Sequence, residues 1–208
     1  MSYIFDAAVN GLLGFSSKAY FFRNDRYIRY DWATNQIDPG YPASVNLWHL
    51  PGVFATGVRA AVNGEGQFQN KTYFFRGPEY VEYDWTTDQV SAPSSLASWH
   101  LPASFDGGIS TAINGSPGSG KAYFFRGDEY VRYDWTLNKV DPGFPAPITE
   151  WELPRFFATG LHAALSGVGL YQSKAYFFRG PKYVSFDWFS HEIGSPSHLS
   201  AWNLTADI

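Results

Sequence analysis

The chain has 208 residues, of which 45% are hydrophobic and 19% aromatic, with 16% charged and a formal net charge of −4. That is ample apolar material for a large core, and the mild acidity leaves no chain-wide basic footprint for nucleic acid. The lack of cysteine removes disulfides, thiolate metal sites and cysteine nucleophiles together.

In chain order, the first residues, Met1 to Asp6, carry no basic segment followed by an apolar run, and no window reaches the apolar length of a membrane span. The expectation is a cytoplasmic protein with no membrane partner, although secretion stays compatible with a removed leader. From Lys18 onward the chain repeats. The string Lys-Ala-Tyr-Phe-Phe-Arg begins at Lys18, returns as Lys-Thr-Tyr-Phe-Phe-Arg at Lys71, and recurs at Lys121 and Lys174, in steps of 53, 50 and 53 residues. Each copy is followed by a version of Tyr-Val-x-Tyr-Asp-Trp, ending at Trp32, Trp85, Trp135 and Trp188. A period near 50 residues is the signature of an array, solenoid or propeller.

The second copy shows the elements. Val58 to Val62 is a short apolar run closed by the turn signal Asn63-Gly64, and Lys71 to Arg76 reads as an aromatic strand ending at the turn Gly77-Pro78. Tyr80 to Trp85 alternates, with Val81, Tyr83 and Trp85 on one face. Gln89-Val90 reads as a short outer strand, and Pro93 to Trp99 as a loop with one helical turn. Three or four antiparallel strands per copy make a propeller blade, and closing four such blades removes exposed edges. The predicted fold is therefore all-β, a single four-bladed β-propeller, with blades at 1–52, 53–104, 105–155 and 156–208. Two tryptophans per copy (the second set being Trp48, Trp99, Trp151 and Trp202) suit packing between blades.

A second symmetry relates alternate copies at an offset of 103 residues: Asp38 to Pro42 matches Asp141 to Pro145, and Phe54 to Gly57 matches Phe157 to Gly160. Surface sites are thus expected in pairs. Phe68 and Tyr171, also 103 apart on the inner hairpin loops, are the candidate sugar-stacking rings.

The motifs Phe5-Asp-Ala-Ala-Val9, Ala19 to Arg23, Tyr27 to Trp32, Asp38 to Pro42 and Trp48-His-Leu-Pro51 follow one another as in hemopexin repeats, and four ordered copies extend this resemblance over the chain. The resemblance implies a four-bladed propeller with an ion in its axial channel, held by two rings of backbone carbonyls. By motif these are Asp6, Arg59, Ser110 and His162, then Ala8, Ala61, Ala112 and Ala164. Carbonyls suit Ca²⁺ or Na⁺, and Ca²⁺ is the expected ion, ahead of Na⁺. Only the first copy keeps the family's Asp, however, so the weaker negative charge could also admit an anion. A free-standing unit of this kind is similar to plant seed albumins and microbial members.

No histidine or carboxylate spacing points to catalysis, and the chain is expected not to be an enzyme. The expected function is non-enzymatic binding of haem or a polyamine, with His162 and His198 as haem candidates. The alternative is a lectin using Phe68 and Tyr171, and a third reading is protein recognition. A homodimer through a propeller face is compatible with all three. The Asp31, Asp84, Asp134 and Asp187 series is expected to anchor turns or to pair with Arg23, Arg76, Arg126 and Arg179. Arg126-Gly-Asp128 reads as turn chemistry rather than as an adhesion motif.

Overall fold

A computed structural model describes residues 5–204. The period-2 strands of each copy assemble into one antiparallel sheet. The first holds β1 (Ala7–Asn10), β2 (Lys18–Arg23), β3 (Arg26–Asp31), β4 (Gln36–Ile37) and β5 (Ala43–Ser44). The second holds β6 (Ala60–Asn63), β7 (Lys71–Arg76), β8 (Glu79–Asp84), β9 (Gln89–Val90) and β10 (Ser94–Ser95). The third holds β11 (Thr111–Asn114), β12 (Lys121–Arg126), β13 (Glu129–Asp134), β14 (Lys139–Val140) and β15 (Ala146–Pro147). The fourth holds β16 (Ala163–Ser166), β17 (Lys174–Arg179), β18 (Lys182–Asp187) and β19 (Ser197–His198), with only a single bridge, Phe186 to Ile193, where an outer strand would lie. The helical turn expected before Trp99 is a 3-10 turn, Leu96–Trp99, preceded by the unforeseen strand β10.

The inner strands β1, β6, β11 and β16 each contact the next in order, and β16 contacts β1, so the four sheets close into a propeller. Its apolar cores lie between sheets. On β2, Tyr20 and Phe22 join the core shared with the second sheet, whereas Ala19 and Phe21 join the core shared with the fourth. A strand buried on both faces needs apolar residues at successive positions, which is why each copy reads Tyr-Phe-Phe. Each fully buried Phe contributes roughly 2–3 kcal/mol. The seam between first and last sheets holds Phe5, Phe21, Phe178, Trp202 and Leu204, so packing closes a ring that has no disulfide. Trp48 and Trp151 are buried with Nε1 unpartnered. They are held by ring contacts, as of Trp48 with Phe74 and Tyr83 of the next sheet.

A belt of side-chain hydrogen bonds runs around one end of the inner strands. Asn63 Nδ2 donates to the Asn10 carbonyl at 2.9 Å and Asn114 Nδ2 to the Asn63 carbonyl at 2.8 Å. Ser166 Oγ donates to the Asn114 carbonyl at 3.3 Å, and Asn10 Nδ2 completes the circle on the Ser166 carbonyl at 2.7 Å. Asn63 Oδ1 also accepts from the Thr72 hydroxyl, which accepts from Trp85 Nε1 at 2.8 Å. Asn63→Ala strands the buried Thr72 hydroxyl and opens the belt. It should cost about 1–3 kcal/mol, read as a lower urea midpoint, and a midpoint equal to wild type would show the belt to be energetically idle.

Candidate functional site

The repeated carboxylates do anchor turns: Asp84 Oδ1 accepts the Thr86 and Thr87 amides, and Asp187 Oδ1 those of Phe189 and Ser190. For Asp31, Asp134 and Asp187 the paired cation is a lysine rather than the expected arginine, whereas in the second copy Lys71 pairs with Glu82 and not with Asp84. The antiparallel register sets Lys18 opposite Asp31 and Lys121 opposite Asp134, with Nζ to Oδ2 distances of 2.8 and 2.6 Å, whereas Arg126 lies at the far end of its strand. Arg76 and Arg126 instead donate Nη1 to the carbonyls of Gly57 and Gly108 at 2.7 and 2.6 Å. Gly127 of the Arg-Gly-Asp triplet has φ +61°, in keeping with a turn.

One mouth of the axial channel is a cavity of about 560 Å³ bounded by Asp6, Arg59, Ser110, His162 and Arg126 over the apolar residues Phe5, Ile109 and Leu161. This is where the first carbonyl ring was expected. Arg59 Nη1 lies 2.7 Å from Asp6 Oδ1, and Asp6 Oδ2 accepts the Asn24 amide at 2.9 Å. His162 Nδ1 accepts the Gly180 amide at 3.1 Å, which puts the proton of the neutral ring on Nε2. Burial, helped by Arg179, pushes the His162 pKa below its ordinary value. The carbonyl oxygens of these residues are chemically suited to a hard cation, but the single carboxylate of the ring is already bound by Arg59. This set therefore fits Ca²⁺ poorly, since tight Ca²⁺ sites rely on several carboxylates. Among the described residues there is no group of three or more His, Asp or Glu placed to hold a metal. The second ring, Ala8, Ala61, Ala112 and Ala164, lies deeper and borders the cavity at the opposite end, which the asparagine belt surrounds.

The other candidates lie elsewhere. His198 precedes the 3-10 turn Leu199–Trp202 and its Nδ1 accepts the Ser200 amide at 3.2 Å, so it acts as a cap. Phe68 and Tyr171 cover tryptophans of the neighbouring sheet, Trp135 and Trp32, at ring-centroid distances of 5.7 and 5.9 Å. They close clefts at the blade seams. A cleft of about 270 Å³ contains Trp32 and Tyr171, and one of about 240 Å³ contains Trp135 and Phe68. A larger one, about 420 Å³, lies between the third and fourth sheets, lined by Tyr123, Arg132, Glu150, Glu152, Trp188 and His191 among others.

The Hemopexin family model matches residues 111–155. Macrophage metalloelastase of Oryctolagus cuniculus is 34% identical over 82 residues, which is 39% of this chain and 16% of that protein. Neutrophil collagenase of Homo sapiens is 30% identical over 92 residues, 44% of this chain and 18% of that one. The matched stretches thus span less than a fifth of these relatives. Among solved structures, a hemopexin fold protein from cow pea superposes with a TM-score of 0.81 at 20% identity, over 97% of this chain and 96% of that one. A plant albumin from Cicer arietinum showing hemagglutination gives a TM-score of 0.80 at 22% identity, over 97% and 96%. Both share the fold.

Proposed function

We propose that this hemopexin-repeat protein is a non-enzymatic binding protein that takes a small carboxylate-bearing ligand, haem being one, at the arginine-lined mouth of its axial channel. The observation that carries the reading is the mouth itself. Arg59 has a side chain 65% exposed and spends one nitrogen on Asp6. Arg126 borders the same cavity, and His162 offers an Nε2 proton above an apolar floor. Such a set favours carboxylates and opposes a polyamine, whose ammonium groups would meet like charge. Haem would be held by its propionates, because ligation of iron through His162 Nε2 requires that nitrogen to give up its proton. An axial ion in the same channel would be monovalent or an anion in preference to Ca²⁺, on the charge balance given above.

Haemin titration followed in the Soret band tests this. Saturable binding at one haemin per chain is expected, weakened about tenfold in Arg59→Ala, the loss typical of one charge-assisted hydrogen bond, and unchanged in His198→Ala. Binding that ignores Arg59 would remove the mouth from consideration. Glycan binding is a second reading. It is favoured by the partly exposed aromatic rings of the seam clefts, and the Cicer arietinum albumin of like fold shows hemagglutination.

A further inference from the structure

Three of the four seams share a feature that the fourth lacks. In three copies the loop after the inner strand ends in a 3-10 turn whose last residue is aromatic: Phe15, Phe68 and Tyr171. Each ring lies on a tryptophan of the neighbouring sheet, Phe15 on Trp85 at 5.8 Å, Phe68 on Trp135 at 5.7 Å and Tyr171 on Trp32 at 5.9 Å. The third copy breaks the pattern. Between Asn114 and Lys121 it has Gly-Ser-Pro-Gly-Ser-Gly, one residue fewer than the other copies, with no aromatic and no 3-10 turn. Trp188 therefore has no lid from this loop.

The exposure of the tyrosines follows, while among the tryptophans Trp85 under its lid is half-buried as Trp188 is. Tyr20, Tyr73 and Tyr176 are buried, whereas Tyr123, the equivalent residue under Trp188, is half-buried. Tyr123 and Trp188 stack at 5.7 Å with an interplanar angle of 23°. The seam between the first and second sheets, related by the offset of 103, shows what is missing. There Phe15 lies against Trp85 and beneath the Arg29 guanidinium, 5.9 Å from its carbon. At the third seam Arg132 occupies the matching place, its Nε 2.6 Å from Asp141 Oδ2 and its guanidinium 5.3 Å from the Phe144 ring. By that match, the third copy's loop supplies no ring to the place Phe15 takes, in a cleft of about 420 Å³ that both Trp188 and Arg132 line.

The rim is polar. Glu150 Oε2 accepts the Tyr130 hydroxyl at 3.0 Å. Glu152, at φ +54°, stands where the other copies have His49, His100 and Asn203. His191 stacks on Phe186 at 5.9 Å and 18°. An apolar floor the size of one ring, bordered by two carboxylates and a guanidinium, suits a ring that is apolar on its face and rich in hydroxyls at its edge. A bare aromatic ligand would desolvate Glu150 and Glu152 without compensation, and an anionic one would be repelled by them.

We infer that the seam between the third and fourth sheets is a glycan-binding site that holds one pyranose ring in the place an aromatic lid fills in the other seams, its face on Trp188 and its hydroxyls on Glu150, Glu152 and Arg132. This rests on the reading of the chain as a non-enzymatic binding protein, but not on the axial mouth. The test is a glycan microarray of plant, fungal and animal oligosaccharides, probed with wild type and with a variant in which residues 115–120 are replaced by the second copy's 64–70 segment, which brings the Phe68 lid. Wild type should retain a defined glycan set. The graft and Trp188→Ala should each lose at least nine-tenths of that signal, while Tyr171→Ala and Phe68→Ala keep it. A blank wild-type array, or a graft that binds as wild type does, overturns the inference. Cooperative melting of the graft shows that it folds, and if it does not, Glu150→Gln and Trp188→Ala carry the test. Haemin titration of the same samples separates the two sites: haemin uptake with a blank array sinks this inference alone, and the reverse sinks the axial mouth alone.

Discussion

Gly57→Ala is expected to lower stability by about 2–6 kcal/mol, read as a fall in the urea midpoint at constant slope. Gly57 has φ +125° and ψ 169°, a region open in practice only to glycine, and forcing another residue there costs roughly 1–3 kcal/mol. The second cost comes from the neighbouring sheet. A Cβ on Gly57 would stand 2.2 Å from the carbonyl oxygen of Asn24, in the turn between β2 and β3. Backbone must therefore move, adding about 1–3 kcal/mol of overpacking. The equivalent glycines supply an internal control. The added Cβ would lie 2.5 Å from the Gly77 carbonyl oxygen at Gly108 and 3.2 Å from that of Gly127 at Gly160, with φ +118° and +128°. The backbone term is thus nearly constant while the contact term falls, and the losses should rank Gly57, Gly108, Gly160. Equal losses would mean that conformation alone sets the cost and that the approach of turn to bend between blades is slack.

That ranking could not have been drawn from the sequence, and the reason is general for this fold. Whatever is local to one copy was legible: the Tyr-Phe-Phe strands, the turns after Arg76 and Arg126, the short outer strand at Gln89-Val90 and the tryptophan pairs. Contacts between one copy and the next were not, because every copy carries the same strings and spacing does not say which neighbour a residue meets. Phe68 and Tyr171 looked like free platforms on hairpin loops, yet each covers a tryptophan of another sheet. Asn63 reads as a turn residue, but its amide and those of Asn10 and Asn114 tie neighbouring strands together, which only ring closure makes possible. The pairing of Asp31 and Asp134 with lysines is set by strand register rather than by residue type. The uncovered seam was visible in principle, since only the third loop lacks an aromatic. It escapes a reading that looks for where repeats agree, because here the information lies where one copy departs.

Asp141→Asn is the other substitution with a large expected effect, about 1–3 kcal/mol at neutral pH, the range for charge-assisted hydrogen bonds to cations that stay partly exposed. Asp141 is 8% exposed and receives Lys121 Nζ at 2.9 Å and Arg132 Nε at 2.6 Å. Burial alone would raise its pKa, but the hydrogen bonds from Lys121 and Arg132 outweigh it and hold the carboxyl below its ordinary value. Removing the charge leaves Arg132 without its anion, and Lys121 with only Asp134, whose Oδ2 is 2.6 Å away. The sign of the pH dependence follows. A carboxyl with a depressed folded-state pKa stabilises the fold above its unfolded value, near 4, and that contribution is lost as pH falls further. The gap between wild type and Asp141→Asn should therefore be full at pH 7 and shrink below pH 4. A gap that stays constant on acidification would assign the loss to packing rather than charge. The same carboxylate also fixes Arg132 at the rim of the third seam, so the substitution should weaken glycan capture there in a fraction that is still folded. Asp38→Asn in the matching triad of Lys18, Arg29 and Asp38 should cost comparable stability and leave glycan capture intact, because the seam beside it is already filled by Phe15.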